Sequence, residues 1–282
     1  MKQQKRLWRR TLLGLLAAAA LTADSRWHLQ VCRYFLNFST LPEALDGYRI
    51  VLLSDLHGAR FGRGNERLAR LTLAQRPDLI VLCGDFADSP EEISSTEELL
   101  RLLQGEAPIA WVSGNHDWAG GALPGLRRLF DRFGVLRMEN RYLSLPWNGS
   151  QLILAGVEDP NGPADMPRPD ELAAQLRRDY PEDFVLWLAH RNDYLEKYPA
   201  LPVDLVLCGH AHGGLVRLPL LGGLFGTDRR LGARYESGVY AGERYPMLVS
   251  RGLGNASPLP RFFNRPEIAV IILHSGQSAR IQ

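Results

Sequence analysis

The sequence predicts an α/β fold with one or two buried β-sheets. Strand and helix patterns alternate in the first half of the chain, and further strand patterns follow in the second half. The chain has 282 residues, of which 45% are hydrophobic and 23% are charged. These fractions are ordinary for a soluble globular protein and exclude disordered, collagen-like and polytopic membrane proteins.

Short apolar runs rich in branched residues mark the predicted strands. The first, at residues 49–54, reads RIVLLS. Such a run is typical of a strand that is buried on both faces. The other predicted strands are residues 79–83, 109–113, 143–145, 152–157, 184–189, 205–208, 247–250 and 268–273.

Five segments with spaced apolar residues are predicted as helices. In one of them Glu91 and Glu92 lie in the first turn, the position that the helix dipole favours for acids. The five segments are residues 64–75, 91–103, 123–133, 169–178 and 193–198. No repeat of 20–50 residues is present, which excludes a solenoid, and no clear boundary follows residue 30.

The first 30 residues predict a targeting or anchoring segment. Residues 1–10 hold five basic residues and no acid, and the 13 residues 11–23 are small and mostly apolar. This layout is typical of a signal peptide, and a bilayer span needs about 20 apolar residues. The WRRT sequence at residues 8–11 resembles a twin-arginine export signal. A tail that anchors the chain to a membrane surface is the alternative.

We therefore predict a signal or membrane-anchor segment at residues 1–30, outside the fold, and one catalytic domain at residues 31–282. The predicted location is the cell envelope, either membrane-associated or exported. The cytoplasmic face of the inner membrane is the alternative location.

The charge of the chain is unevenly distributed. The total is +2, but residues 11–282 hold 28 basic and 31 acidic residues and therefore carry −3. A body of this charge is not expected to coat nucleic acid. The three cysteines, Cys32, Cys83 and Cys208, form no disulfide framework and lack the spacing of metal ligands.

Polar residues that follow predicted strands carry the chemistry, because loops at strand ends collect the active-site groups of α/β folds. The motifs are Asp55-Leu56-His57, Gly84-Asp85-Phe86-Ala87-Asp88, Gly114-Asn115-His116-Asp117, an isolated His190, and Gly209-His210-Ala211-His212. Each motif alone would be read as a turn or a core histidine. Their joint order predicts a metal site with nitrogen and oxygen ligands and no thiolate, which suits Mn²⁺, Fe or Zn²⁺.

This ordered set resembles the calcineurin-like metallophosphoesterase superfamily over residues 46–273. The flanking segments 41–46, 212–219 and 261–267 are similar to its bacterial exported or membrane-associated phosphodiesterase branch. That branch includes enzymes like the lipid A pathway UDP-2,3-diacylglucosamine pyrophosphatase. The resemblance implies a two-sheet β-sandwich flanked by helices, a four-layer α/β/β/α fold. One departure is visible: relatives often continue the isolated histidine as His-Asn-Pro-Asp, whereas this chain has Arg191 after His190.

The resemblance also implies two divalent metal ions, with Mn²⁺ the leading candidate and Fe or Zn²⁺ as options. It assigns one ion to Asp55, His57 and His212. It assigns the second to Asn115, His190 and His210. Asp85 would bridge the two ions.

Two further residues receive catalytic roles from the resemblance. His116 would stabilise the transition state or protonate the leaving oxygen, and Asp88 would orient and charge it. A helix N-cap is the alternative role for Asp88. Asp117 is predicted to be a structural turn residue.

The predicted function is a binuclear-metal-dependent hydrolase of phosphodiester or pyrophosphate bonds. Its substrate would be a phosphorylated small molecule or a lipid-linked molecule of the cell envelope, and a membrane surface is a possible partner. A nuclease of the same superfamily and a catalytically inactive metal-binding protein are the alternatives. The apolar segment at residues 215–225 is predicted to form a rim that contacts lipid, with burial in a sheet as the alternative.

Overall fold

Fourteen strands and six α-helices make up the described fold. The computed structural model describes residues 11–12, 21–163, 165–218, 220, 222–224, 232, 234–256 and 260–276. The strands are β1 (Gln30–Phe38), β2 (Arg49–Leu53), β3 (Leu79–Cys83), β4 (Ile109–Val112), β5 (Leu136–Arg137), β6 (Arg141–Trp147), β7 (Ser150–Gly156), β8 (Val185–Leu188), β9 (Leu205–Cys208), β10 (Arg217–Leu218), β11 (Gly222–Gly223), β12 (Gly238–Ala241), β13 (Pro246–Val249) and β14 (Glu267–Ser275). The α-helices with defined bounds are Glu66–Leu73, Ile93–Leu103, Asn115–Ala119, Leu123–Arg132, Pro169–Asp179 and Tyr194–Lys197.

Two six-stranded sheets contain most of the strands. The first sheet has the order β1-β14-β2-β3-β4-β5, and the second has the order β12-β13-β9-β8-β7-β6. Neighbouring strands are parallel from β2 to β5 in the first sheet, and β7, β8, β9 and β13 are parallel in the second. Parallel strands place their carboxyl ends at one edge of each sheet.

The side chains of β3 show how the layers are built. Ile80 and Leu82 point into the core between the first sheet and its helices, whereas Leu79 and Val81 point into the core between the two sheets. On β8, Trp187 likewise packs under the helices of the second sheet. Because both faces of these strands are covered, their sequences are continuously apolar. The layers are helix, sheet, sheet and helix, which confirms the predicted four-layer sandwich.

All nine predicted strands and all five predicted helices are present, with bounds that shift by a few residues. The structure adds β1, which pairs in parallel with β14 over nine residues at the edge of the first sheet. Its exposure alternates because one side of the strand is open, and Arg33 and Asn37 interrupt its apolar residues. The continuous apolar run that identified the other strands is therefore missing.

The end of the predicted targeting segment contacts the body of the protein. Residues 21–27 are helical. Ser25 is buried, and its hydroxyl accepts a hydrogen bond from the backbone N–H of Asn264 at 3.3 Å. Asp24 forms an ion pair with Arg265 at 2.7 Å. Residues 1–10 and 13–20 lie outside the described residues, and the boundary at residue 30 stays a prediction.

Two further sequence features concern membranes. Among the described residues, no helix combines the length and the apolar character that crossing a bilayer requires. Of the predicted apolar rim, Leu220 is fully exposed, whereas Pro219, Leu221 and Phe225 lie outside the described residues.

Candidate metal centre

The carboxyl ends of strands from both sheets meet at one edge of the sandwich. The loops after β2, β3 and β4 bring the first three motifs, and the loops after β8 and β9 bring the last two. Contacts among these loops connect all nine predicted site residues: Asp55, His57, Asp85, Asp88, Asn115, His116, His190, His210 and His212.

One cluster consists of Asp55, His57 and His212, whose potential ligand atoms lie within 4.8 Å of one another. The Nε2 atoms of His57 and His212 are 3.3 Å apart, and Nε2 of His212 is 3.5 Å from Oδ1 of Asp55. Two imidazole nitrogens that face each other so closely require a proton or a cation between them. The Nδ1 of His57 lies 2.5 Å from Asp88, so the Nδ1–H donates there and leaves Nε2 free.

A second cluster consists of Asp85, His190 and His210. The Nε2 of His190 is 3.1 Å from Oδ2 of Asp85, 3.1 Å from Nδ1 of His210 and 3.0 Å from Oδ1 of Asn115. The Nδ1–H of His190 donates to the carbonyl of Cys83 at 2.8 Å, which leaves its Nε2 as the free nitrogen.

The carboxylate of Asp85 lies between the two clusters. Its Oδ2 is 3.1 Å from Nε2 of His190 and 3.8 Å from Nε2 of His57, yet this buried oxygen accepts no hydrogen bond from the described residues. An unsatisfied buried carboxylate oxygen is costly unless a cation neutralises it. The mixed nitrogen and oxygen donors around Asp85 therefore fit a pair of divalent cations.

Charge and burial act on the imidazoles in different ways. Burial lowers the pKa of both His210 and His212, so these side chains are neutral, the form in which histidine binds a metal. Burial also opposes the charging of His190, but the neighbouring Asp85 carboxylate prevails and raises the pKa of His190 to about 10. The position between Nε2 of His190 and Asp85 therefore favours a positive charge, either a proton on Nε2 or a cation in its place.

Backbone strain is concentrated in the candidate ligands. Five of them have positive φ angles, a region that non-glycine residues rarely occupy. They are Asp55 (53°), His57 (46°), Asp85 (57°), His210 (68°) and His212 (48°). Strain of this kind costs on the order of 1 kcal/mol per residue and is typical of functional sites.

Asp88 and His116 form a separate pair at the edge of the first cluster. Oδ1 of Asp88 is 3.2 Å from Nδ1 of His116, whose side chain is 39% exposed. The hydrogen bond that His116 donates to Asp88 raises the pKa of His116 despite the opposing effect of burial. The 3-10 turn that follows has Ser89 rather than Asp88 at its N-cap position.

Asp117 supports the turn that carries Asp85. Its carboxylate is buried and accepts backbone N–H groups from two loops at 2.8–3.3 Å. The donors are Gly114, Asp85, Phe86 and Ala87. This arrangement agrees with a structural role for Asp117.

The sequence patterns did not single out Asp159. It follows β7, whose carboxyl end lies at the same edge, so the strand-end rule applied to β7 would have found it. The guanidinium of Arg191 donates to Asp159 from Nε at 2.6 Å and from Nη2 at 3.0 Å. Two hydrogen bonds thus tie Arg191, the residue directly after His190, to the loop that follows β7.

Comparisons with known proteins agree with this geometry. The calcineurin-like phosphoesterase family profile matches residues 48–214. An uncharacterized metallophosphoesterase, YkuE of Bacillus subtilis, is 30% identical over 289 residues, which cover 97% of this chain and 99% of that protein. Phosphodiesterase YaeI of Escherichia coli is 30% identical over 290 residues, which cover 94% of this chain and 98% of that protein.

A solved structure supports the fold. The sulfate thiohydrolase SoxB of Thermus thermophilus superposes with a TM-score of 0.51 at 15% identity. The match covers 81% of this chain and 57% of the SoxB chain.

Proposed function

Because the chain belongs to the calcineurin-like phosphoesterase family, we propose that this metal-dependent phosphoesterase hydrolyses phosphodiester or pyrophosphate bonds at a binuclear centre. The observation that carries the proposal is the unsatisfied Oδ2 of Asp85 between two clusters of imidazoles. Its position is suited to a carboxylate shared by two cations.

In this proposal each cluster would hold one divalent cation. Asp55, His57 and His212 would serve the first ion, Asn115, His190 and His210 would serve the second, and Asp85 would be shared between them. When bound, such ions supply Lewis-acid polarisation of the phosphoryl group and lower the pKa of a water molecule. Mn²⁺ is our leading candidate, with Fe and Zn²⁺ as alternatives.

The protein side chains then have distinct tasks. His116 keeps its Nδ1–H on Asp88, and its side chain is 39% exposed, so Nε2 would be the nitrogen available to the substrate. An Nε2–H there donates its proton to the leaving oxygen as the phosphorus–oxygen bond breaks. Asp88 orients the ring and stabilises the imidazolium form, because its carboxylate lies within hydrogen-bond distance of Nδ1.

The test is a screen of the full chain loaded separately with Mn²⁺, Zn²⁺ or Fe²⁺. The substrates are a phosphomonoester, a phosphodiester, a nucleotide pyrophosphate and single-stranded DNA. We expect turnover of the diester or pyrophosphate that stops on chelation and in an Asp85→Asn variant. Exclusive cleavage of the monoester would overturn the proposal, and so would full activity after chelation. Exclusive cleavage of DNA would replace the proposed small-molecule substrate by that of a nuclease.

A lipid-linked substrate in the cell envelope is a finer proposal, and its support is the fully exposed Leu220 in the apolar segment after His212. A Leu220→Ser variant should lose turnover of a lipid diester in vesicles and keep turnover of a small soluble diester. Equal losses on both substrates would contradict this. Fractionation of cells that produce the full chain would test the proposed location in the envelope.

A further inference from the structure

We propose that a cavity beside His190 binds the substituent that stays on the phosphate after hydrolysis, and that Arg191 holds a phosphoryl oxygen at its entrance. This inference rests on the proposed function. It narrows the substrates to phosphodiesters whose non-leaving group is a ring-sized, largely apolar group.

The cavity adjoins the candidate metal centre, because His190 and Arg191 are among its lining residues. Its volume is about 210 Å³. Val157, Met166 and Tyr194 contribute apolar walls. Charged residues, among them Glu158, Arg168 and Lys197, also line it, but apolar atoms contribute most of its surface. A concave, mainly apolar space with polar groups is typical of a site for a small organic group. This volume suits one ring rather than a whole cofactor.

Arg191 is held rigidly at the entrance of the cavity. Two of its nitrogens bind the carboxylate of Asp159, whose side chain is fully buried. The third, Nη1, lies 3.3 Å from Nε2 of His210. A bidentate carboxylate fixes a guanidinium in one orientation, so Nη1 is presented to the site at little entropic cost.

The tautomer of His210 indicates why an anionic oxygen would bind between Nε2 of His210 and Nη1 of Arg191. Nδ1 of His210 faces Nε2 of His190 at 3.1 Å, on the side of the second cluster. If Nδ1 is the metal-binding nitrogen, Nε2 carries the hydrogen. Nε2–H and Nη1–H are then two donors that face each other, and a phosphoryl oxygen would accept from both.

The positions of His116 and the cavity separate the two ester groups of a diester. His116 lies against His57, with ring centroids 4.9 Å apart, and it shares Asp88 with that residue. The cavity opens beside His190, in the other cluster. The leaving oxygen would therefore lie near His116, and the remaining substituent would point into the cavity.

In the proposed step, water forms a new phosphorus–oxygen bond and releases one proton to solvent, and the bond to the leaving oxygen breaks. The leaving oxygen takes a proton from Nε2 of His116, and a proton from solvent then restores His116. The product that remains is a monoester that carries the substituent in the cavity.

The test uses two diesters with the same p-nitrophenol leaving group, methyl p-nitrophenyl phosphate and bis(p-nitrophenyl) phosphate. In the unmodified protein we expect a lower KM for the second. Met166→Ala should raise the KM for the aryl diester by about tenfold, on the scale of one lost hydrophobic contact, and leave the methyl diester unchanged. Methylphosphonate and phenylphosphonate should show the same difference as competitive inhibitors.

Arg191→Ala should lower kcat/KM for both diesters by roughly 30-fold or more, because a charge-assisted hydrogen bond to substrate is lost. Arg191→Lys should recover part of this loss, and added guanidinium should rescue the alanine variant at a concentration that does not unfold it. Arg137→Ala is the matched control, since Arg137 is 30% exposed and ion-paired with Asp131, compared with 26% for Arg191. Metal content should be unchanged in these three variants and in Met166→Ala.

The results distinguish an error in the proposed function from an error in the cavity assignment or in the role of Arg191. If no metal-loaded form hydrolyses a diester or a pyrophosphate, the proposed function itself is wrong. If diesters are hydrolysed but Met166→Ala affects both substrates and both inhibitors equally, the cavity assignment is wrong and the proposed function stands. Loss of activity in Arg191→Ala without guanidinium rescue, together with a lower Tm or loss of metal, would show that Arg191 only ties Asp159 in place.

Discussion

The side chain of His116 is more accessible than three of the other imidazoles in the candidate site. It is 39% exposed, whereas the side chains of His57, His190 and His212 are 1%, 0% and 13% exposed. A group that exchanges a proton with the substrate must be reachable, whereas a metal ligand is better shielded. This difference in exposure supports the proposed role of His116 as the proton donor.

Replacing His116 by alanine should therefore reduce catalysis without removing metal. We expect kcat for the diester to fall by about 10²–10⁴-fold, the usual contribution of a general acid. Metal content measured by atomic absorption should equal that of the unmodified protein. His274→Ala is the matched control, because His274 is 35% exposed and pairs with Asp46 away from the site. Undiminished kcat in the His116 variant would rule out its catalytic role.

The carboxylate of Asp117 organises the backbone rather than the chemistry. Asp117→Ala would leave four buried N–H groups without their acceptor. The expected loss is about 3 kcal/mol in the free energy of unfolding, measured with urea on the metal-free protein. Asp131→Ala, at a residue whose side chain is 60% exposed, should change stability by less than about 0.5 kcal/mol. Similar losses in the two variants would refute the proposed support of the Asp85 turn.

At the residue level, the sequence predicted which side chains meet but not how their networks are completed. The candidate ligands could be found because each follows a buried strand, and strand ends share an edge. The tie between Arg191 and Asp159 depends on the path of the loop after β7, which no local pattern encodes. The roles of the nine predicted residues stay predictions until metal content and activity are measured.

The turn after β3 shows how an element positions the site. Gly84 has a φ of +78°, and a Cβ there would lie 2.5 Å from Nδ1 of His190 and 2.7 Å from the backbone of Gly114. The turn therefore requires both a left-handed backbone and the absence of a side chain. Through this close approach, the strand of one sheet positions a histidine of the other.

A comparison of Gly84→Ala with Gly105→Ala should separate the effect of the left-handed backbone from the effect of the close contacts at Gly84. Gly105 has a φ of +83° and no atom within 4 Å of its would-be Cβ, so it reports backbone strain alone. We expect a loss of about 1–2 kcal/mol at Gly105. The loss at Gly84 should be at least about 2 kcal/mol greater, with weaker metal binding, because packed atoms must also move. If urea denaturation shows equal losses in the free energy of unfolding for the two variants, the close approach at Gly84 does not contribute to stability.

The burial of strand faces explains which strands the sequence predicted. Strands covered on both faces, such as β3 and β8, have continuous apolar sequences and are found directly. The edge strand β1 is held by its backbone pairing with β14, and its polar residues face outward. Pairing with a strand more than 200 residues away leaves no local signal, so β1 was not predicted.

For the whole molecule, metal binding should be coupled to stability because a cation that binds the folded state shifts the folding equilibrium. At a free Mn²⁺ concentration of about 1,000 times its Kd, the gain is roughly 4 kcal/mol, or about 8–16 °C in Tm for a domain of this size. The measurement is a thermal melt of the chelated and reloaded protein. An Asp85→Asn variant should show a much smaller shift, and an equal Tm with and without Mn²⁺ would contradict the prediction.

The candidate site is built from both sheets, and this has a consequence for quality control of the protein. Asp55, His57 and Asp85 follow strands of the first sheet, whereas His190, His210 and His212 follow strands of the second. His57 and His212 are separated by 155 positions in the chain. A nascent chain that ends after β5 would present carboxylates without most of their imidazole partners, and β14, which completes the first sheet, is made last. Tight retention of metal would thus act as a proofreading signal that reports complete synthesis and correct docking of the two sheets.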